Sequence, residues 1–399
     1  MVAAMLMMAM VWAQVQQERP QPQPAGAGLS VCIAASQAHQ LPRAQACFSH
    51  WTRLHPRSGP AWLDWGILLA AQGQLAAALP KFRQAARWQP NHARAWTALG
   101  MDAGKAGKMK LAVQAMRHAE RLRPQLPGTQ LNLGIALAAA GQLQSALEPL
   151  RRAEKLDPRL AAAHYNLARV LADLDQPRAA QKEARQTLRL APNDLPALRL
   201  LAQLARQPGQ QEFWWRKVIA LRPGDAKMRA RYALALWQSG RPAAAVRQWR
   251  TALRLNPRLA AALYGLARAW ATPHPGRAAR LLARLRRLRQ WRQRRDRIRF
   301  LGNSALIEAR QHRFPRALAA LRQGLRLCGS CREQAHLRQN LGLILCQAGQ
   351  RKAGIIQLRR AYALAPDNAI VRQALRQLGA LPTHPRSKSK TPVREHPEK

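Results

Sequence analysis

Seven prolines constrain this chain more than any other feature. Pro56, Pro90, Pro124, Pro158 and Pro192 fall 34 residues apart; Pro223 follows after 31 and Pro257 after a further 34. Each closes an apolar run such as "RLHP", "RLRP" or "KLDP". Proline cannot continue a helix, and it turns the residue before it away from helix. Punctuation this regular marks a tandem array of one small unit. It also explains why "LDPRLAAAHYNLARVL", from Leu156, is echoed by "LNPRLAAALYGLARAW", from Leu255.

Within a unit the pattern is helix, turn, helix. In residues 59–92, Trp62, Trp65, Gly66 and Leu69 share one helical face. Gln72-Gly73-Gln74 is the turn, and Ala78, Phe82 and Ala85 share a face of the second helix. Apolar residues make up 48% of the chain but aromatics only 5%, so Ala and Leu dominate, and both favour helix. Small residues recur in pairs twelve apart (Gly66/Ala78, Gly100/Ala112, Gly134/Ala146, Gly342/Gly354), which lets two helix backbones approach closely. One helix pair cannot bury its apolar face alone; stacking against its neighbours does so.

The period, the Trp96-Leu99-Gly100 signature, the small residue twelve positions on, the Ala seven further and the closing proline resemble the tetratricopeptide repeat family. The resemblance implies an all-α, right-handed superhelical solenoid of about ten helix-turn-helix repeats with a C-terminal capping helix. We expect a signal peptide at 1–13, where Val11 and Ala13 suit a cleavage site, and a Pro/Gln-rich linker at 14–25. The solenoid is expected over 26–379, in repeats of about 26–58, 59–92, 93–126, 127–160, 161–194, 195–225, 226–259, 260–293, 298–331 and 335–368. A cap follows at 369–379 and a disordered basic tail at 380–399. Export or a periplasmic location follows from the N-terminal reading, with the cytoplasm as the alternative.

The resemblance also implies a groove lined by the first helices. The family's groove positions fall on Arg94, Lys105, Tyr165, Arg169, Arg199, Gln203, Lys227, Tyr264 and Arg268, with Asn132, Asn166 and Asn340 placed to bond a ligand backbone. Lys plus Arg number 66 against 19 for Asp plus Glu, a formal charge of +47, so anionic partners are expected. An acidic or extended protein segment ranks first. An anionic polysaccharide, as in exopolysaccharide export, ranks second, and RNA third. Residues 276–300 carry eleven arginines around Trp291, a basic ridge presenting Arg284, Arg287, Arg292 and Arg295. Such a ridge can hold phosphates, although an ordinary exposed helix is the plainer reading.

Cys328 and Cys331 suit a local disulfide, Cys32 and Cys47 a second one across the first helix pair, and Cys346 packs as a small apolar residue. A lone C-x-x-C without a second pair gives no metal site, and the histidines lie singly on different units, where they read as surface or groove residues. No nucleophile elbow, phosphate loop or dinucleotide fingerprint occurs, so neither an enzyme nor a cofactor is expected. No later window is apolar enough to span a membrane.

Overall fold

The protein, seen in a computed structural model, is described over residues 27–331 and 333–381. The expected signal peptide, the linker and nearly all of the basic tail lie outside the described residues. Twenty helices and no strand occur among those described. No described helix is long and apolar enough to cross a membrane.

The helices fall into two units, divided after Leu255. The first unit holds seven pairs: α1 (Ala27–Gln37) with α2 (Leu41–Leu54), α3 (Gly59–Ala71) with α4 (Leu75–Trp88), α5 (Ala93–Lys105) with α6 (Met109–Leu122) and α7 (Pro127–Ala139) with α8 (Leu143–Leu156). Then come α9 (Ala161–Asp173) with α10 (Pro177–Leu190), α11 (Leu195–Leu204) with α12 (Pro208–Leu221) and α13 (Ala226–Gln238) with α14 (Pro242–Leu255). The second unit holds α15 (Ala260–Ala269), α16 (Pro275–Arg310), α17 (Phe314–Cys328), α18 (Gln334–Gln347), α19 (Arg351–Leu364) and the cap α20 (Ala369–Gln377).

Each pair closes through one turn. Gly141, at φ 77°, lets the Gln142 amide donate to the Leu137 carbonyl at 2.9 Å and end α7. Asp175 occupies the same place one period later at φ 55°, with Gln176 bonding the Leu171 carbonyl at 2.9 Å. Below the turn the two helices meet at a glycine on α3, α5, α7 and α18, and at an alanine on α9, α13 and α15. A Cβ on Gly134 would stand 2.5 Å from Leu150 Cγ, and one on Gly66 would stand 2.6 Å from Phe82. At these glycines the seam therefore admits no side chain where the partner helix lays its large one.

The closing prolines do more than stop helices. A carbonyl there lacks a helical partner, and at five of the seven the side chain six places on supplies a donor. Trp62 Nε1 reaches Pro56 O at 2.8 Å, Trp96 Nε1 reaches Pro90 O at 2.8 Å, Gln130 Nε2 reaches Pro124 O at 2.9 Å and His164 Nε2 reaches Pro158 O at 3.1 Å. Arg229 does the same for Pro223. Different side chains serve one junction because it asks only for an N–H.

Within the first unit each first helix from α1 to α9 also touches the first helix of the next pair, whereas consecutive second helices make no comparable contact. The first helices therefore form the tighter, inner side of that stack.

One expectation fails in the second unit. Repeats 260–293 and 298–331 were to be separate, but α16 runs unbroken for 36 residues from Pro275 to Arg310. No proline or glycine interrupts it between Gly276 and Gly302, so nothing ends the helix at the unit boundary. Its start buries Ala278, Leu285 and Leu288, and its end buries Ile298, Leu301 and Ala305. Ile298 and Ala305 join a core with Ala317, Leu318, Leu321 and Leu337. One helix thus closes one pair and opens the next.

Candidate functional site

Of the residues expected to line a groove, Arg94, Lys105, Tyr165, Arg169, Arg199, Gln203 and Lys227 lie on first helices of the first unit. Tyr165 and Arg169 lie one helical turn apart on α9, and the charges of Arg169 and of Arg199, on α11, both act on the Tyr165 phenol. Burial pushes the Tyr165 phenol up, opposed by the nearby Arg169 and Arg199 charges. Arg169 Nε is shielded from solvent and has no hydrogen-bond acceptor; Arg94 Nε, on α5, is in the same condition. A buried donor without an acceptor costs free energy until a ligand supplies one. Gln203 and Lys227 are exposed on α11 and α13.

This face is not uniformly basic. Asp64 on α3 stands beside Arg94, Asp102 pairs with Lys105 at 3.2 Å, and Asp173 and Asp194 flank Tyr165. Asp194 also caps α11, accepting from the Ala197 amide at 2.7 Å. Burial raises the pKa of Asp102 and of Asp194. Burial raises Asp64 from 3.8 to about 6, the Arg94 charge opposing it. Its native state thus binds a proton more tightly than the unfolded chain. The stability this gives is fully present below the unfolded value near 4 and is lost as pH rises through about 6. Asp64→Asn is therefore expected to raise the thermal midpoint at pH 7.5, by no more than about 3 kcal/mol of stability, and to leave it unchanged at pH 4. Thermal melts at the two pH values check this.

Two groups of expected groove residues are placed otherwise. Asn132 and Asn166 are buried, 8% and 4% exposed, and Asn166 Nδ2 donates to Ala162 O of its own helix at 2.8 Å. The sixth place of a unit faces neighbouring helices, so these amides are not exposed donors. Tyr264, 54% exposed, and Arg268, also exposed, lie on α15, in the second unit.

The ridge on α16 is partly occupied by the chain itself. Arg287 and Arg292 are exposed, while Arg284 and Arg295 are half-buried. Arg295 approaches Asp296 at 3.5 Å and lies 4.9 Å from the Trp291 ring, which Arg258 also approaches at 5.7 Å. Arg294 donates to the Leu327 carbonyl. Two arginines of the chain itself therefore lie against Trp291, and Arg297 lies 5.4 Å from the ring of Phe300, the other exposed aromatic of this stretch.

Cys32 and Cys47 are bonded across α1 and α2, and Cys328 is bonded to Cys331 at the end of α17. Cys346 is free and half-buried, and burial pushes its thiol pKa up, which makes it a poor nucleophile.

Two features were missed in the sequence. A cleft of about 420 Å³ opens at the α6–α8 junction between Arg117, Glu120, Gln130, Glu148 and Arg152. Arg152 lies 3.1 Å from Glu148 and 3.9 Å from Glu120 within it. In addition, His164 is not a surface or groove residue: it is 3% exposed, with Nδ1 2.8 Å from Glu183 Oε2.

The sequence profile of the Tetratricopeptide repeat family matches residues 63–127, 97–161, 131–177 and 231–279. The first three matches start 34 residues apart. No curated protein matches the chain. Among solved structures, the chain is similar to residues 41 to the end of MamA from Desulfovibrio magneticus RS-1, at 22% identity, covering 42% of this chain and 98% of that one, with a TM-score of 0.39. TTC0263, a thermophilic TPR protein of Thermus thermophilus, is 26% identical over 45% of this chain and 100% of its own, TM-score 0.38. The C-terminal part of a TPR repeat-containing protein from Cytophaga hutchinsonii is 16% identical over 60% of this chain and 99% of its own, TM-score 0.49.

Proposed function

Because this chain is a tetratricopeptide-repeat protein, we propose that it is a non-catalytic scaffold whose first-helix face holds an extended, acidic segment of a partner protein. The family reading suggests protein–protein interaction in general. The finer reading is carried by one observation: the charges of Arg169 and Arg199, from two successive first helices, both act on Tyr165, and Arg169 offers a shielded Nε with no acceptor among the described residues. A carboxylate would satisfy that donor, and guanidinium and carboxylate match in shape. The phenol beside them supplies a flat apolar surface and a hydroxyl.

The acids on the same face decide between partner classes. Asp173 and Asp194 beside the arginines would repel a uniformly charged polysaccharide or RNA. A peptide can alternate carboxylate with neutral or basic residues and so read the pattern in register. The formal +47 would raise the encounter rate with any anionic partner, and the local pattern would select among them.

We place the protein outside the cytoplasm, in assembly of an envelope or secretion complex. Two bonded cysteine pairs support that reading, since disulfides persist in oxidising compartments.

The test is panning of the immobilised full chain against a random dodecapeptide library at about 0.15 M salt, where surface charges beyond roughly 8 Å are screened. Enriched peptides should share carboxylates at fixed spacing, and free peptide should displace them when heparin and oligo-RNA do not. Absence of enrichment, or displacement by heparin and RNA equal to that by peptide, would overturn the proposal.

A further inference from the structure

His164 sits between two acceptors. Its Nε2 faces the Pro158 carbonyl at 3.1 Å, and a carbonyl can only accept, so Nε2 carries the hydrogen. In a neutral ring Nδ1 is then a lone pair, yet it points at Glu183 Oε2 from 2.8 Å. Glu154 Oε1 lies 3.7 Å from the same nitrogen, and the three ligand atoms all lie within 4.8 Å of one another. Two lone pairs at 2.8 Å require something positive between them.

The preceding repeats serve as an internal control. One period earlier Gln130 makes the same junction contact to Pro124 O at 2.9 Å and meets Glu120 at 3.1 Å. Glu120 is the counterpart of Glu154, but Pro149 stands where the later unit has Glu183. Two periods earlier the place is filled by Trp96 and three earlier by Trp62. The junction therefore takes at most one N–H, and Leu198 and Leu263 fill the same place after Pro192 and Pro257 with none. It does not need an imidazole, nor a second carboxylate in a chain with 19 acids and 66 bases.

We propose that Glu154, His164 and Glu183 form a binding site for a divalent transition-metal ion of the zinc type. The donor set fits that class: an imidazole nitrogen with two carboxylate oxygens suits zinc better than calcium or magnesium, which take oxygen ligands. Two carboxylates and a neutral ring carry two negative charges, which a divalent ion balances and one proton does not. The Pro158 carbonyl holds the ring as outer partners hold metal-bound histidines, fixing the hydrogen on Nε2 and leaving Nδ1 to coordinate. Ligands about 2.0–2.1 Å from a tetrahedral ion stand roughly 3.3 Å apart. The 2.8 Å contact has to open and the 3.7 Å contact to close by about half an ångström each, within the reach of glutamate rotamers. Glu183 is 13% and Glu154 32% exposed, so the fourth position opens toward solvent and water can complete the shell. The three ligands come from α8, α9 and α10, so the ion would tie two successive repeats together.

The experiment uses the full chain with its disulfides intact, stripped with EDTA and titrated with zinc chloride by calorimetry, then with cobalt chloride by visible absorption. His164→Gln is the principal variant, since Gln130 demonstrates that glutamine keeps the junction contact. Glu183→Gln is the second and carries the test if the first does not fold. We expect one zinc site per chain, tetrahedral cobalt bands, and binding weakened by more than the roughly 10–100-fold that loss of an outer partner costs. Absence of a stoichiometric site in the native chain would overturn the proposal and assign the space to a proton. A site of unchanged affinity in the variants would overturn it equally, placing the ion elsewhere.

Discussion

Gly342→Ala is expected to open the C-terminal end of the array while the first unit stays folded. A Cβ at Gly342 would lie 2.7 Å from Leu358 Cγ, 2.9 Å from the Gly354 carbonyl oxygen and 3.0 Å from the Leu358 nitrogen. Two of those three atoms are backbone, so no rotamer change relieves the contact and α18 must move away from α19. Overpacking of this kind costs about 1–3 kcal/mol, against a helix-propensity gain near 1 kcal/mol for alanine over glycine. Loss wins because the displaced atoms belong to the partner helix itself. Gly128→Ala supplies the opposite sign. That position lies in the first turn of α7 with nothing within 4 Å of an added Cβ, so alanine should stabilise by a few tenths to about 1 kcal/mol. In a repeat array each unit answers chiefly to its neighbours. Amide hydrogen exchange should therefore show faster exchange in residues 334–381 for Gly342→Ala and unchanged exchange in residues 93–190. Equal effects of the two substitutions would mean that the seam does not hold the pairs together.

The proline period, the turns and the glycine seam were legible because each recurs, and recurrence turns weak local signals into a strong one. The limits of legibility lie where the recurrence lapses. Helix α16 lost its boundary because the unit after Pro257 has no closing proline, and the sequence offered a unit spacing without the residue that enforces it. Asn132 and Asn166 were assigned to the open face by place alone, whereas a first helix is flanked on both sides and only a narrow stripe stays exposed. The acids of the inner face were passed over because the chain's charge is so lopsided, yet Asp64, Asp102, Asp173 and Asp194 all stand beside its cations. His164 was readable in principle. It occupies the place of Trp62, Trp96 and Gln130, and that alignment predicts a buried donor to the preceding proline. Its carboxylate neighbours come from two other helices, and no spacing along one helix reveals them.

The largest effect on binding is expected from reversing Arg169 and Arg199 together. Tyr165 feels the charges of Asp173 and Asp194 as well as those of the two arginines, so two glutamates would replace a mixed field with that of four carboxylates around it. An acidic peptide that now loses two attractive contacts also gains like-charge repulsion, which costs several kcal/mol at a close interface. Binding should fall at least ~100-fold, or about 3 kcal/mol. Reversing Arg287 and Arg292, both exposed on α16, changes the net charge by the same amount at a place remote in sequence from this cluster. It should alter binding only through long-range attraction, about threefold or less at 0.15 M salt. The decisive measurement is the dissociation constant of one panned acidic peptide for these two double reversals side by side. The account predicts that Arg169→Glu with Arg199→Glu abolishes measurable binding while Arg287→Glu with Arg292→Glu nearly preserves it. Equal losses would show that net charge alone attracts the peptide, and unimpaired binding in the first variant would remove the partner from the inner face altogether.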